Sequence, residues 1–269
     1  GKDIVAGGDD VDIVFGNADN DSIDGRKGID LVFGDTGDDK VAGGIGTIDL
    51  VVGGPGGDFL HGGDTVTNLT NDGIDILFGR QGQDNIWGDE GVDLAFGGID
   101  ADVIHGNKGI DFIVGGDEEK SPGDCLYGDD DPDIILGGYG EDQAFGGKGI
   151  DLLIGNGHVD SFWGEDDSDI IISDDNAEFI DIGGGSANLV IAAGGNDNIR
   201  GAGGGLILAG DGDDNITLTS SPALVMAARP SLRAKRKTAA SRPPLRVRNF
   251  LQLTARSGAP APADRKRVV

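Results

Sequence analysis

The sequence predicts an all-β fold, a right-handed, β-helix-like solenoid whose 18-residue rungs stack into two parallel sheets. Aspartate returns every nine residues over most of the chain, as at Asp12, Asp21 and Asp30, and an apolar residue follows two positions after each. The apolar segments alternate between two kinds, so two nine-residue units make one rung. A fixed short period is typical of stacked repeats, because each unit buries its apolar side chain only against its neighbours.

Each nine-residue unit predicts one tight turn and one short strand. Most units read Gly-x-x-Gly-x-Asp-x-apolar-x, and residues 34–42 are a clean copy. Glycine allows positive φ and close backbone approach, so we expect the first six residues of a unit to form the turn. The last three residues form a strand whose middle side chain points inward while its two neighbours point outward.

Alternate strands differ in composition, which assigns them to different sheets. Residues 31–33 are all apolar, whereas residues 40–42 are mixed, and the same alternation continues to residue 172. Strands of one kind are therefore predicted to stack about 4.8 Å apart on each side of the rod. Insertions at residues 65–72 and 117–120, and one extra residue before Asp49, fall in turns, where a solenoid tolerates them.

Charge is distributed unevenly along the 269 residues. Residues 1–220 contain 9 Lys and Arg against 47 Asp and Glu, a net charge of −38, whereas residues 221–269 carry +11. A compact domain with this much negative charge repels itself unless cations bind to it. It is also a poor partner for nucleic acid, which is itself negatively charged. The single cysteine excludes an internal disulfide, and no apolar run approaches the ~18 residues of a membrane span.

The repeat predicts three regions. Residues 1–172 form the regular acidic solenoid. Residues 173–219 keep the period with one-residue slips, and we interpret them as degenerate rungs that cap the stack. Together these residues give 11 or 12 rungs, a rod of roughly 50–55 Å. Residues 220–269 are a basic, Pro- and Ala-rich tail that we expect to be mostly disordered, with a short strand or helix at residues 245–253.

The regular aspartates favour a hard divalent cation. A row of carboxylates at about the strand spacing repels itself unless cations lie between the rungs. Ca²⁺ accepts six to eight oxygen ligands from carboxylates and backbone carbonyls, both of which a glycine-rich turn supplies. Mg²⁺ fits less well because it demands a tighter octahedron, and Zn²⁺ would require Cys and His, which are nearly absent. The chemistry therefore predicts multiple calcium ions.

The nonapeptide Gly-Gly-x-Gly-x-Asp-x-apolar-x resembles the RTX (repeats-in-toxin), or haemolysin-type, calcium-binding repeat, and about 18 copies cover residues 1–172. The resemblance implies a parallel β-roll in which turn aspartates and glycine carbonyls bind Ca²⁺. It also implies a secreted bacterial protein that a type I system exports unfolded and that folds outside the cell. Asp3 is left out of the candidate ligands because its turn is cut short. The candidate ligands are Asp12, Asp21, Asp30, Asp39, Asp49, Asp58, Asp75, Asp84, Asp93, Asp102, Asp111, Asp124, Asp133, Asp142, Asp151, Asp160, Asp169, Asp197 and Asp214.

Some turns depart from the repeat. The fourth turn position, usually Gly, is aspartate at Asp10, Asp19, Asp100, Asp131 and Asp167. These residues are either extra ligands or tolerated turn residues, because Asp is enriched in left-handed backbone. The turns that end at residues 178, 188 and 205 lack the aspartate and are predicted to bind calcium weakly or not at all.

Two outer surfaces could hold a partner. The all-apolar strands present a broad apolar face. This face either docks a missing upstream domain or a second copy of the roll, or it has no partner of this kind. In the second case it is covered by the C-terminal segment, or bulky residues on a flat sheet are a common feature of the family. The other strands align Trp87, His105, Tyr127, Phe145 and Trp163 in a row. This row either binds sugar rings or simply packs along the sheet.

The sequence contains no His-Glu-x-x-His motif, no Gly-x-Ser-x-Gly motif and no phosphate-binding loop motif. We therefore predict a non-enzymatic, calcium-binding, extracellular module that folds on binding calcium, acts as a scaffold and supports type I export. The alternatives are an adhesin or carbohydrate-binding module, or the non-catalytic part of a secreted hydrolase, protease or epimerase. The basic tail is interpreted as an export signal, as a segment that lies on the acidic body, or as a terminus without function.

Overall fold

The computed structural model describes residues 1–63, 73–116, 123–219 and 223–227, and every regular element in these ranges is a β-strand. The strands form two sheets of 12, and every strand pair is parallel. Consecutive strands alternate between the sheets, so each rung contributes one strand to each. The predicted all-β solenoid with 18-residue rungs is therefore confirmed. Nowhere in the described ranges is there a helix long and apolar enough to cross a membrane.

The odd-numbered strands form the first sheet, which contains the mixed strands of the sequence pattern. They follow one another in chain order, from the N-terminal to the C-terminal end of the rod. Their ranges are β1 Ile4–Asp10, β3 Ser22–Gly28, β5 Lys40–Gly46, β7 Phe59–His61, β9 Asn85–Gly91, β11 Val103–Gly109, β13 Cys125–Asp130, β15 Gln143–Lys148, β17 Ser161–Glu165, β19 Phe179–Asp181, β21 Asn198–Gly201 and β23 Asn215–Leu218.

The even-numbered strands form the second sheet, which contains the all-apolar strands. Its order also follows the chain, so no strand crosses over a neighbour. The ranges are β2 Ile13–Ala18, β4 Leu31–Thr36, β6 Ile48–Pro55, β8 Ile74–Gln81, β10 Leu94–Ile99, β12 Phe112–Gly116, β14 Ile134–Gly138, β16 Leu152–Ile154, β18 Ile170–Ile172, β20 Asn188–Ile191, β22 Gly205–Gly210 and β24 Ala223–Ala227.

The core is a narrow column between the sheets. Each strand from β2 to β22 contributes its central apolar side chain, such as Leu77, Ile104 or Phe162, and these side chains are at most 6% exposed. The residues before and after the central one face outward in strands such as β8, β11 and β17, as their alternating burial shows. Because each rung buries so few side chains, its neighbours must supply most of the contacts that hold it.

Several strands are longer than the three residues that the sequence predicts. Strand β3 runs through seven residues, and its turn residues Arg26 and Lys27 stay in register with Gly44 and Ile45 of β5. The first half of a turn therefore continues the parallel pairing, because identical turns stacked one rung apart can exchange backbone hydrogen bonds.

The parallel strand pairing continues past the C-terminal end of the regular repeat. Strands β19 to β23 pair in parallel through residues 179–218, which the sequence assigns to degenerate rungs. Strand β24, at residues 223–227, lies inside the range that the sequence assigns to the mostly disordered tail. Its alternating Leu224 and Met226 continue the second sheet beside Leu206 and Leu208. The insertions at 65–72 and 117–120 and the predicted element at 245–253 lie outside the described residues.

Replacing Ile104 with Ala should lower the free energy of unfolding in calcium by about 2–4 kcal/mol, because Ile104 is fully buried and leaves a cavity. The neighbouring Val103 faces outward on the same strand, so Val103→Ala should cost about 1 kcal/mol or less. Denaturant unfolding of both variants in calcium measures the difference. Equal losses would contradict the inward and outward assignment.

Candidate metal-binding edges

The predicted ligands lie in two straight rows on opposite edges of the rod. Turns that lead from the first sheet to the second form the first edge, and turns that lead back form the second edge. The first edge carries Asp12, Asp30, Asp49, Asp75, Asp93, Asp111, Asp133, Asp151 and Asp169. The second edge carries Asp21, Asp39, Asp58, Asp84, Asp102, Asp124, Asp142, Asp160, Asp197 and Asp214.

One oxygen of each carboxylate holds successive rungs together. The backbone N–H of Asp3 donates to Oδ1 of Asp21 at 2.7 Å, and the same bond recurs along the second edge to Asp160 at 2.7–3.0 Å. On the first edge the series runs from Asp12 to residue 188 at 2.7–3.1 Å. Each aspartate that accepts such a bond is therefore fixed in one orientation by the amide of the preceding rung. We call this series of hydrogen bonds the ladder.

In most of these aspartates the other carboxylate oxygen is buried and has no hydrogen-bond partner in the described structure. A buried charged oxygen without a partner is costly, and it needs an explanation such as an ion. This unpartnered Oδ2 belongs to Asp12, Asp21, Asp30, Asp39, Asp49, Asp58, Asp84, Asp102, Asp111, Asp124, Asp133, Asp142, Asp151, Asp169 and Asp197.

The unpartnered oxygens face a space that glycine leaves open. A Cβ atom on Gly16, the first residue of its turn, would lie 2.7 Å from Oδ2 of Asp21 and 2.6 Å from the carbonyl oxygen of Gly34 in the next rung. The same pair of oxygens recurs at Gly146, where Oδ2 of Asp151 and the carbonyl oxygen of Gly164 lie 2.6 Å and 3.0 Å from that point. A carboxylate and a carbonyl from successive rungs thus converge beside most first-position glycines.

Asn188 separates the structural role of the aspartates from their charge. Its Oδ1 accepts the amide of Asp169 at 2.7 Å, as an aspartate would, while its Nδ2 lies 3.3 Å from the carbonyl of Gly184 and donates to it. An amide side chain therefore completes the ladder and satisfies its second atom within the protein. The ladder does not need a second carboxylate oxygen, so the charge of the aspartates must serve another purpose.

Glu178 interrupts the second edge. In the described structure the ladder stops between Asp160 and Glu178, and it resumes when the amide of Glu178 donates to Oδ1 of Asp197 at 3.1 Å. Burial, and then the neighbouring Asp197, raise the pKa of the Glu178 carboxyl group. The extra methylene of Glu178 changes the position of its oxygens, which agrees with the prediction that this turn is a poorer calcium site.

Burial without a cation makes the carboxylates reluctant to ionise. Desolvation and, to a smaller extent, the carboxylates of adjacent rungs raise the pKa of Asp84 and Asp160 to about 7 and that of Asp102 to about 8. The ladder hydrogen bonds lower the pKa but do not offset burial. Such shifts are typical of groups that lack a compensating charge.

The fourth-position aspartates adopt the left-handed backbone that the sequence predicts. Asp10, Asp19, Asp100, Asp131 and Asp167 have φ between 68° and 92°, and all five are exposed. Their exposure favours tolerated turn residues over extra ligands, because a ligand for a buried ion would be drawn inward.

A second turn position also has a left-handed backbone conformation, which was not predicted from the sequence. The residue directly after the first-position glycine has φ of 67–88° in many turns, and the family motif signals it by having Gly at that place. In this chain the position is held by Asn17, Arg26, Asp35, Arg80, Asp89, Asn107, Asp129 and Glu165.

The aromatic row forms a continuous stack on the first sheet. From His61 to Trp163, adjacent ring centroids lie 4.4–6.2 Å apart with interplanar angles of 3–7°. At the far end Phe179 lies 5.6 Å from Trp163, and the Arg200 guanidinium lies over Phe179. Each ring thus covers the face of the next and leaves only ring edges to solvent. The geometry supports packing along the sheet, because a sugar ring would need an open aromatic face.

The donor set fits calcium. No group of three or more His, Cys, Asp or Glu side chains converges in the described parts of the chain, so carbonyl oxygens would have to supply many of the ligands. Ca²⁺ accepts such mixed carboxylate and carbonyl sets in irregular geometry. The buried, unpartnered Oδ2 atoms and the open space beside the first-position glycines match that requirement.

These features define an acidic parallel β-solenoid with metal-binding turns. The four-copy sequence model of the RTX calcium-binding nonapeptide repeat matches residues 1–65, 69–118 and 124–180 in overlapping segments. The chain therefore belongs to the RTX calcium-binding repeat family, whose repeats bind Ca²⁺ and are structural rather than catalytic. No curated protein and no solved structure gave a significant match.

The raised pKa values predict an unusual pH dependence without calcium. The folded pKa values of Asp102 and Asp160 exceed the unfolded value of about 4, so the folded state binds more protons between these limits. Stability is thus fully present below about pH 4 and is lost as pH rises through 6 to 8, by up to about 1.4 kcal/mol per pH unit and group. In chelator the circular dichroism β signal should stay below that of the calcium-bound protein at both pH values, and it should be larger at pH 5 than at pH 8.

Saturating calcium should remove or reverse that difference, because protons and Ca²⁺ compete for the same oxygens. A calcium-free protein that is more stable at pH 8 than at pH 5 would contradict the burial of uncompensated carboxyl groups.

Replacing Gly146 with Ala should raise the calcium concentration at half-folding by about tenfold or more, because the new methyl group occupies the space between Asp151 and Gly164. Gly8 is the matched control, since a Cβ there meets nothing closer than 3.4 Å and its φ is not left-handed. Calcium titrations followed by circular dichroism compare the two variants. An unchanged titration for Gly146→Ala would show that this space holds no ion.

Proposed function

We propose that the aspartates of both edges bind Ca²⁺ between successive rungs, and that calcium binding and folding are one equilibrium. The buried, unpartnered Oδ2 atoms carry this proposal. They recur in register on both edges, most of them beside a carbonyl oxygen of the next rung. These oxygens meet only when rungs stack, so the unfolded chain has no preformed site and binding energy becomes folding energy.

The charge balance supports the same conclusion. Residues 1–220 carry −38, and ladder aspartates lie almost fully buried one strand spacing apart. Lysine pairs offset little of this charge, since Lys108 contacts Glu90 and Lys148 contacts Asp130 on the exposed surface. Exposed ion pairs contribute little to stability, so the buried rows need charge from another source.

We further propose that the module belongs to a secreted bacterial protein, folds outside the cell and supports export by a type I system. Proteins with these repeats are typically secreted. Export in an unfolded state requires that the chain remain unfolded until it binds calcium outside the cell. The affinity should therefore fall in the range of extracellular modules, about 10⁻⁴–10⁻³ M, rather than the ~10⁻⁷ M of cytosolic sensors. Isothermal titration calorimetry tests this, and submicromolar affinity would oppose export-coupled folding.

The module serves as a scaffold in this proposal and performs no catalysis itself. The carboxylates that could resemble acid and base pairs all belong to the repeated edges, where they hold successive rungs together. Function beyond calcium binding then depends on what the rod presents on its outer faces.

Calcium-coupled folding predicts different effects for two neighbouring aspartates. Asp133 is buried and its Oδ1 accepts the amide of Asp111 at 2.8 Å, a bond that Asn can also accept, as residue 188 shows. Asp133→Asn should therefore keep the ladder but lose one charged ligand oxygen, and raise the calcium midpoint about 5- to 30-fold, or about 1–2 kcal/mol. Circular dichroism during a calcium titration gives the midpoint.

Asp131→Asn makes the same chemical change at an exposed turn residue with φ of 77°, which Asn tolerates. Its midpoint should move less than twofold. Equal shifts for both variants would indicate a general charge effect, and a full β signal for the wild type in excess chelator would overturn the coupling itself.

A further inference from the structure

The outer face of the second sheet is wider than its strands suggest. In β8, Ile76 and Phe78 are the two outward residues that flank the buried Leu77, and Ile74, directly before the first-edge Asp75, also points outward. The residue at the position of Ile74 points outward on the other rungs as well. This third position continues the apolar face over the edge of the sheet. It is held by Val11, Ile29, Ile48, Ile74, Val92, Ile110, Pro132 and Ile150, of which all but Pro132 are large side chains exposed by 42–65%.

The same turn position on the second edge is mostly polar or small, as at Asn20, Asp38, Gln83 and Glu141. The turn itself therefore does not require an apolar residue there. Apart from Val159, the large apolar side chains at this turn position occur where they extend the second sheet, which indicates one continuous face rather than a property of the repeat.

The face carries no charged side chain. Three outward columns over the first eight rungs, from Val11 to Ile154, contain only apolar residues. Two columns continue it through Ile170, Leu189, Leu206 and Leu224 on the remaining rungs. Twelve of the sixteen exposed large hydrophobic side chains in the described ranges belong to this face, so it is the dominant apolar surface of the rod.

Its size matches one half of a stable protein interface. At about 4.8 Å per rung and about 18 Å across three columns, eight rungs cover roughly 700 Å², and the two-column rungs add roughly 200 Å². A standard interface buries about 800 Å² on each partner, whereas the largest apolar patch on a typical monomer is about 300–600 Å².

We propose that this face is a self-association surface on which a second copy of the chain packs, sheet against sheet. A straight apolar stripe about 40 Å long needs an equally straight partner, and a copy of the same rod provides one with the same rung spacing. Side-chain columns of one copy can then lie between those of the other, as in aligned sheet packing, and a twofold axis closes the pair. The strongly acidic edges of both copies stay outside the contact, since the face itself has no charge.

Sedimentation analysis of the full chain in saturating calcium tests the proposal. The wild type should have twice the 27.5 kDa mass of one chain at micromolar concentration. The double variant Val92→Lys and Ile110→Lys should be a monomer, with its dissociation constant raised at least 100-fold. The control variant Gln83→Lys and Ala101→Lys adds the same charge at the same turn position on the opposite edge, and it should remain a dimer.

Calcium-induced circular dichroism verifies that each variant folds, which is expected because all four side chains are at least partly exposed. If the lysine pair fails to fold, Val92→Thr and Ile110→Thr provide a milder pair that should still weaken the dimer more than tenfold. A monomeric wild type would overturn the proposal. So would a dimer that both lysine variants dissociate equally, or one that neither variant affects.

Discussion

The structure depends on the rows of buried aspartate carboxylates. One oxygen of such a carboxylate bonds one rung to the next, and in most of them the other oxygen is unsatisfied. The first oxygen fixes the register, because the amide of one aspartate donates to the next along both edges. The second oxygen leaves an uncompensated negative charge in a low-dielectric environment, one strand spacing from another like it. A narrow core of one apolar side chain per strand offers little energy to offset that cost. The same residue thus specifies the fold and makes it dependent on a cation.

This arrangement explains why glycine and aspartate recur together. The aspartate can point its second oxygen toward the next rung only if the first turn residue has no side chain in that space, as at Gly16 and Gly146. Where the aspartate is lost the fold persists, since Asn188 completes the ladder without a charge. The degenerate rungs are therefore compatible with the solenoid while contributing less to calcium binding, which suits the end of a stack. The aromatic stack on the first sheet and the apolar columns on the second are independent of the edges and can vary without disturbing them.

The sequence predicted most of the fold because the nine-residue period leaves few alternatives: the inward residues, the two sheets, the edge aspartates and the left-handed Asp131 follow from spacing alone. It did not predict the split roles of the two carboxylate oxygens, because these depend on the offset between rungs rather than on composition. It also missed strand β24, since residues 223–227 lack both Gly and Asp and keep only the apolar alternation. The third apolar column was visible in the sequence as Ile29 or Ile110 before each first-edge aspartate, but its direction became clear only from the burial pattern.

The most direct test of the account is an anomalous-scattering map, at a wavelength that reveals calcium, from crystals of the chain grown with Ca²⁺. The account predicts peaks in two rows, one along each edge, each within ligand distance of an Oδ2 such as that of Asp102 or Asp133 and of a glycine carbonyl in the next rung. The row on the first edge should weaken at Asn188. Peaks only beside exposed turn residues such as Asp131 and Asp167, with none next to the buried oxygens, would contradict it.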